Sequence, residues 1–225
     1  MKFSPRFLPF LFALTPTTWA EEAADYFPLQ AGNQWLYSDT WNDFETGERF
    51  ADTFLDKVQF VRTVEGQVEG HVVSVYFDEY SSFGDAFYGD HYRFTIRLDG
   101  RTAHWSQEEE TVGFEPYFVL AEKEGETFPL YDGGTTATVL GREEIAVPAG
   151  LFLCYVVEHS TELDPNDENS WGPPGALKEI ITEYWAKNVG QIKMVYRYQL
   201  ADGSLADGET IELLEATIGG KKIGS

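Results

Sequence analysis

Hydrophobic and polar residues alternate over long stretches of this chain. From His91 to Leu98, the residues Tyr92, Phe94, Ile96 and Leu98 fall on one side, and His91, Arg93, Thr95 and Arg97 on the other. Between Gln191 and Leu200, Ile192, Met194, Tyr196, Tyr198 and Leu200 oppose Lys193 and Arg197, and within His71 to Tyr80 Val73, Val75 and Phe77 lie together. A period of two marks a β-strand with one face buried. Seven further segments read as strands: Trp35–Trp41, Thr53–Val64, Tyr117–Ala121, Thr135–Gly141, Leu151–His159, Ile180–Trp185 and Thr210–Ile218. No segment carries a helical apolar stripe of four turns. Ala176 to Trp185 is compatible with a helix at its start, but Ile180-Ile181-Thr182 favours a strand.

Turn-forming residues separate these segments at hairpin spacing: Glu45-Thr46-Gly47, Glu65-Gly66-Gln67, Asp99-Gly100, Asp132-Gly133-Gly134 and Asp202-Gly203. Strands joined by hairpins throughout predict a mainly β fold. The expected form is one curled antiparallel sheet, a half-barrel or barrel-like, with a two-sheet β-sandwich as the alternative. No Pro/Gly/Ser-rich linker divides the chain, so residues 21–225 read as a single β-rich domain. Asp164 to Gly175 reads as a surface excursion between two strands.

Residues 1–20 follow a different pattern. Lys2 and Arg6 precede the apolar run Phe7 to Leu14, which is too short to span a bilayer. Pro16 breaks the run, and Thr18 and Ala20 suit the −3 and −1 positions of a cut before Glu21. This is the pattern of a secretory signal peptide, and it places the protein in the periplasm or outside the cell. No cysteine stands near the cut, so no lipid anchor is expected. Charge then narrows the partners. Acidic residues outnumber basic ones 38 to 16, a formal charge of −22. Nucleic acid is excluded because its binders need a basic footprint, and an anionic membrane surface would repel the chain. Aromatic residues reach 16%, a surplus that a packed interior or a binding surface must absorb.

Three stretches combine turn chemistry with aromatic residues. In YFPLQAGNQWLY (Tyr26 to Tyr37), Pro28 and Gly32-Asn33 shape a turn that aims Trp35 and Tyr37 inward. In VPAGLFLC (Val147 to Cys154), Pro148 fixes φ and Gly150 tolerates a positive φ. Phe152 and Cys154 then share one face of a strand, with Leu151, Leu153 and Tyr155 on the other. In YWAKNVGQIK (Tyr184 to Lys193), Asn188 and Gly190 suit left-handed positions of a turn. In this order the stretches resemble a group of secreted or lipid-anchored bacterial proteins of unknown function. Their patterns run FPL-x-x-G-N-x-W-x-Y, VPAG-x-F-x-C and Y-x-A-x-x-VG-x-x-K. The resemblance spans Phe27 to Lys193. It implies a β-rich envelope domain, comparable with the curled-sheet lipoprotein carriers of the cell envelope, and it carries no activity with it. The chain departs from the group at Asn188, where glycine is commoner, and in lacking an anchor cysteine.

Residues that carry chemistry are sparse. Cys154 is the only cysteine, so no intramolecular disulfide forms, and its setting in FLCYVV predicts a buried, inert thiol. Pairing Cys154 with His159 as a nucleophile is disfavoured: five residues along a strand separate the two by ~17 Å, on opposite faces. His71, His91, His104 and His159 fit no zinc spacing, and only His71 and His91, both at strand starts, are placed to meet across a sheet. DPNDENS, from Asp164, alternates oxygen ligands like a calcium loop. Asn169 stands where that loop needs glycine, and Gly175 where it needs glutamate, so the segment reads as a solvated acidic loop, as does Glu108-Glu109-Glu110. No G-x-S-x-G, phosphate-binding loop or dinucleotide fingerprint occurs.

No catalytic residue, metal or cofactor is assigned on this basis. The expected function is that of a non-enzymatic exported protein, a binding or envelope-assembly module with a concave apolar and aromatic face. Trp35, Tyr37, Trp105 and Trp185 are the candidate ligand-binding residues. An apolar or carbohydrate ligand or an envelope protein is the expected partner. The alternative is a secreted hydrolase with two carboxylates ~5–9 Å apart.

Overall fold

The computed structural model describes residues 21–77, 91–107, 113–130, 134–164 and 172–224. Residues 1–20, where a signal peptide is expected, Glu108–Glu110, Asp132-Gly133 and most of the DPNDENS stretch lie outside these residues. Thirteen strands follow one another: β1 (Gln34–Asn42), β2 (Arg49–Val64), β3 (Gln67–Phe77), β4 (His91–Asp99), β5 (Thr102–Gln107), β6 (Glu115–Val119), β7 (Thr127–Leu130), β8 (Thr135–Val147), β9 (Gly150–Glu162), β10 (Ala176–Ala186), β11 (Gly190–Leu200), β12 (Leu205–Ile218) and β13 (Lys221–Ile223). A 3₁₀ turn, Ala23–Asp25, precedes them, and no α-helix occurs among the described residues.

Every strand belongs to one antiparallel sheet. Its order is β6-β5-β4-β3-β2-β1-β12-β11-β10-β9-β8-β7, with β13 added beside β12. Each half of the chain is a meander of hairpins, and the β1–β12 pairing joins the halves. The strands at the two ends of this order, β6 and β7, are consecutive in the chain and share no ladder. The sheet is thus a barrel nearly closed on itself, with one unsealed seam, and not a two-sheet sandwich. Both seam strands are short and carry a proline, Pro116 and Pro129. Proline removes a backbone donor and blunts an edge against further pairing.

Cross-strand register assigns the faces. Trp35, Tyr37 and Asp39 of β1 stand opposite Asp56, Phe54 and Asp52 of β2, and opposite Ala216, Leu213 and Ile211 of β12. This face looks into the barrel. At its centre β9 is buried on both faces. Tyr155 and Val157 join an apolar cluster with Phe118 and Trp185, while Cys154 and Val156 join a second with Ala186 and Ile192. The tip of the β8–β9 hairpin supplies the second cover. It folds onto β12, where the Ala149 N–H donates to the Leu213 carbonyl at 3.1 Å. Gly141, at φ +106, sits at a bulge that carries β8 past the point where its sequence pattern breaks.

The segment before β1 closes one end of the barrel. Ala23, Tyr26 and Phe27 are buried in it, and Tyr26 packs on Phe118 and Tyr155 with ring centroids 5.8 Å away in both cases. Burial of such rings contributes about 1.5–3 kcal/mol each. Leu29 rests directly on Gly70, where a Cβ would come within 2.8 Å of it, so the plug requires glycine at that position. Backbone bonds fix the plug to two turns and to strand β2. Ala23 N–H donates to Gly100 O (2.9 Å), Gly32 N–H to Val58 O (2.9 Å), and Asn188 N–H to Asp25 O (2.6 Å). Arg142 pairs with Glu21, and Lys187 reaches Asp25 at 3.1 Å.

Candidate functional site

The three sequence stretches converge at the plugged end. The Trp35 indole N–H donates to the Val189 carbonyl (2.5 Å) and the Tyr37 hydroxyl to the Gln191 carbonyl (3.1 Å). Asn188 and Gly190 take positive φ values of 62° and 112°, which bends the β10–β11 turn under Trp35. Asn33 ties the first stretch together, donating to Pro28 O at 2.6 Å and accepting from the Gly219 N–H at 2.8 Å. Cys154 and Tyr155 of the middle stretch pair with Ala186 and Trp185 of the last.

Between the plug and the strands lies an interior cavity of about 90 Å³. Rings form half of its wall, Tyr26, Phe27, Trp35, Tyr37, Phe94, Tyr117 and Trp185, with Asp56 and Gln191 as polar members. Three of the four sequence candidates, Trp35, Tyr37 and Trp185, therefore meet in one wall. Phe27 lies 4.5 Å from Trp185 and Phe54 5.0 Å from Tyr37, centroid to centroid. Trp105 is half-buried on β5 against the first apolar cluster and does not line this cavity.

Behind the wall sits a buried carboxylate, Glu183. It accepts from the Trp185 indole (3.1 Å), the Tyr117 hydroxyl (3.2 Å) and the Gln191 amide (3.2 Å), and pairs with His159 at 3.2 Å. Burial opposes a charge on His159, but the Glu183 carboxylate outweighs it and holds the imidazole pKa above its ordinary value. Asp56 differs. It accepts a bond from Ser74, yet burial still pushes its pKa up to about 6. Further from the plug, Asp39 and Glu209 share a hydrogen bond on the same inner face. Burial, moderated by that bond and reinforced by Asp52, takes Asp39 to about 6; burial together with Asp39 and Glu179 takes Glu209 to about 8.

Other candidate chemistry does not assemble. Cys154 is fully buried, and burial, with Glu143 adding to it, pushes its thiol to about 12. The register pairs His71 with Thr95 and His91 with Val75, so the two histidines are not opposite one another. Among the described residues no group of three metal-ligating side chains is placed to hold an ion. A larger recess, about 320 Å³, opens at the plugged end of the seam. Its charges are largely paired with one another, Arg101 with Glu122 at 3.2 Å and Arg142 with Glu21, and none of the four aromatic candidates reaches it.

No protein-family model matches the chain, and no curated protein matches it. Two solved structures share its fold. One is provisionally described as an exported protein with a YmcC-like fold, from Bacteroides fragilis. It is 15% identical, the match covers 84% of this chain and 96% of that one, and the TM-score is 0.53. The other is provisionally described as a lipoprotein, from Parabacteroides distasonis, at 14% identity, 85% and 98% coverage and a TM-score of 0.54. At these identities the likeness is one of fold.

Proposed function

We propose that this chain is an exported, non-enzymatic binding module, and that its ligand site is the aromatic cavity beneath the N-terminal plug. The observation that carries this reading is the convergence of Trp35, Tyr37 and Trp185 on one concave space, with a single carboxylate in the wall. Small-ligand sites are concave, mostly apolar and marked by a few convergent polar groups. At about 90 Å³ the space takes a few waters or one compact group of about five heavy atoms. A lipid chain or a sugar ring exceeds this volume. The signal-like residues 1–20 and the fold shared with proteins described as exported or lipoprotein support an extracytoplasmic location, with cleavage before Glu21.

The test is native mass spectrometry of the protein purified from its own host. A small adduct is expected, and the double variant Trp35→Ala, Trp185→Ala loses it while the far-ultraviolet spectrum stays β-like. An adduct retained by that variant refutes the cavity. A second reading, hydrolysis by a carboxyl pair, draws on Asp39 and Glu209, both raised by burial. Neither residue lines the aromatic cavity or the larger recess.

A further inference from the structure

We propose that the cavity selects a methylated ammonium group, the head of a small organic cation, with Asp56 as its counter-charge. The proposal rests on the cavity being the ligand site, and it names the chemistry of the ligand.

The hydrogen-bond donors of the wall are already spent. The Trp35 indole is committed to Val189 O and the Tyr37 hydroxyl to Gln191 O. The Trp185 indole, the Tyr117 hydroxyl and the Gln191 amide all point at Glu183. A sugar or a carboxylate entering here would be desolvated without these partners, at a cost that excludes it. What the wall still offers is ring faces and the Asp56 carboxylate. Ring faces carry negative potential and attract cations, and methylated ammonium groups are bound by cages of this composition. Such a group has few or no N–H donors of its own, so the scarcity of acceptors costs it nothing. No lysine or arginine lines the cavity.

The rest of the inner face has the same sign. Register places Asp39, Asp52, Glu179, Glu183 and Glu209 inward with Asp56. Of the lysines and arginines on the described residues of β1 to β12, only Arg142 shares that face, at the plugged end, where Glu21 neutralises it. Asp39 is 7% exposed, and its Oδ1 is buried without a hydrogen-bond partner. That residue lies two positions along β1 from Tyr37, on the same face. Apart from Arg142 and His159, each paired with a glutamate, the charged groups of the inner face are acids, and a mainly acidic interior walled by low-dielectric rings concentrates small cations; the formal charge of −22 adds to that field.

The experiment is calorimetric titration of the full chain at low salt and pH 8. The two ligands are choline and 3,3-dimethylbutan-1-ol, which has the same shape without the charge. Choline should bind saturably, and the neutral alcohol at least tenfold more weakly. Asp56→Asn should weaken choline at least tenfold and leave the alcohol unchanged. Equal binding of the two ligands overturns the cation inference and leaves the cavity reading standing. Binding of neither overturns the inference, and the adduct experiment then judges the cavity separately. If Asp56→Asn does not fold, the comparison on the unmodified protein decides.

Discussion

Glu69 and Asp39 are both buried carboxylates on the same sheet, and their surroundings are opposite. Glu69 lies on the outer face of β3. It accepts bonds from Arg62 Nε (2.8 Å), Arg97 Nε (2.8 Å) and a second Arg97 nitrogen (2.5 Å). Burial works against its charge, but the two guanidinium groups hold its pKa below the ordinary value. Arg97 is itself held 3.6 Å over the Phe114 ring. Asp39 lies on the inner face of β1, shares a bond with Glu209, and stands directly opposite Asp52. Its pKa moves up to about 6. Apart from Arg142, which Glu21 neutralises, the strands thus place their arginines outside and a run of acids inside. A buried carboxylate clamped by arginine is a strut. One without a cation awaits a proton or a positively charged ligand.

The largest effect should come from breaking the strut. Glu69→Ala removes charge-assisted bonds to two arginines and should cost about 2–4 kcal/mol, read from urea unfolding. The opposite sign is expected inside: Asp39→Asn at pH 8 should be neutral or stabilising by up to about 1 kcal/mol, since it removes a carboxylate whose charged neighbours, Asp52 and Glu209, are acids. Equal losses in the two variants would erase the distinction.

The second effect is pH dependence. Asp39, Asp56 and Glu209 have folded pKa values of about 6, 6 and 8, above the ~4 of an unfolded carboxyl group. Groups raised in this way contribute stability that is complete below pH ~4 and is lost as pH rises through their folded values. His159, also raised, acts in the same direction, whereas Glu69, lowered, contributes only above its folded value. The melting temperature should therefore be highest in mild acid and fall by several degrees between pH 5 and pH 9. Glu209→Gln should flatten the upper part of that fall. A melting temperature that climbs from pH 5 to pH 9 would contradict the assignment.

Much of the fold was legible because its strands are long and buried on one side. His91–Asp99 and Gly190–Leu200 match their alternation nearly end to end. The strands without a sequence signal are β5, β7 and β13, of six, four and three residues, where alternation has too few steps to register. The aromatic wall was partly legible, since Trp35, Tyr37 and Trp185 stand at inward positions of regular strands. Tyr26 and Phe27 were not, because a plug has no periodicity. The acids could have been found. Asp39 falls between Tyr37 and Trp41, Asp56 between Phe54 and Val58, and Glu183 between Ile181 and Trp185, each in register with apolar neighbours. An acid at an inward position breaks the alternation, and those breaks mark the inner face.

The smallest expected effect is that of salt. Self-repulsion in a chain of formal charge −22 is screened over a Debye length of ~8 Å at 0.15 M, so moderate sodium chloride should raise the melting temperature slightly. Calcium should add little at matched ionic strength. A large shift in micromolar calcium would instead point to the acidic interior as a metal site.

The claim that a compact cation sits beneath the plug is tested most directly by the tryptophan indole resonances during a choline titration. The Trp35 and Trp185 N–H signals should shift together and saturate, while that of Trp105 stays in place. Shifts confined to Trp105 or Trp41, or no shift at saturating choline, would contradict the account.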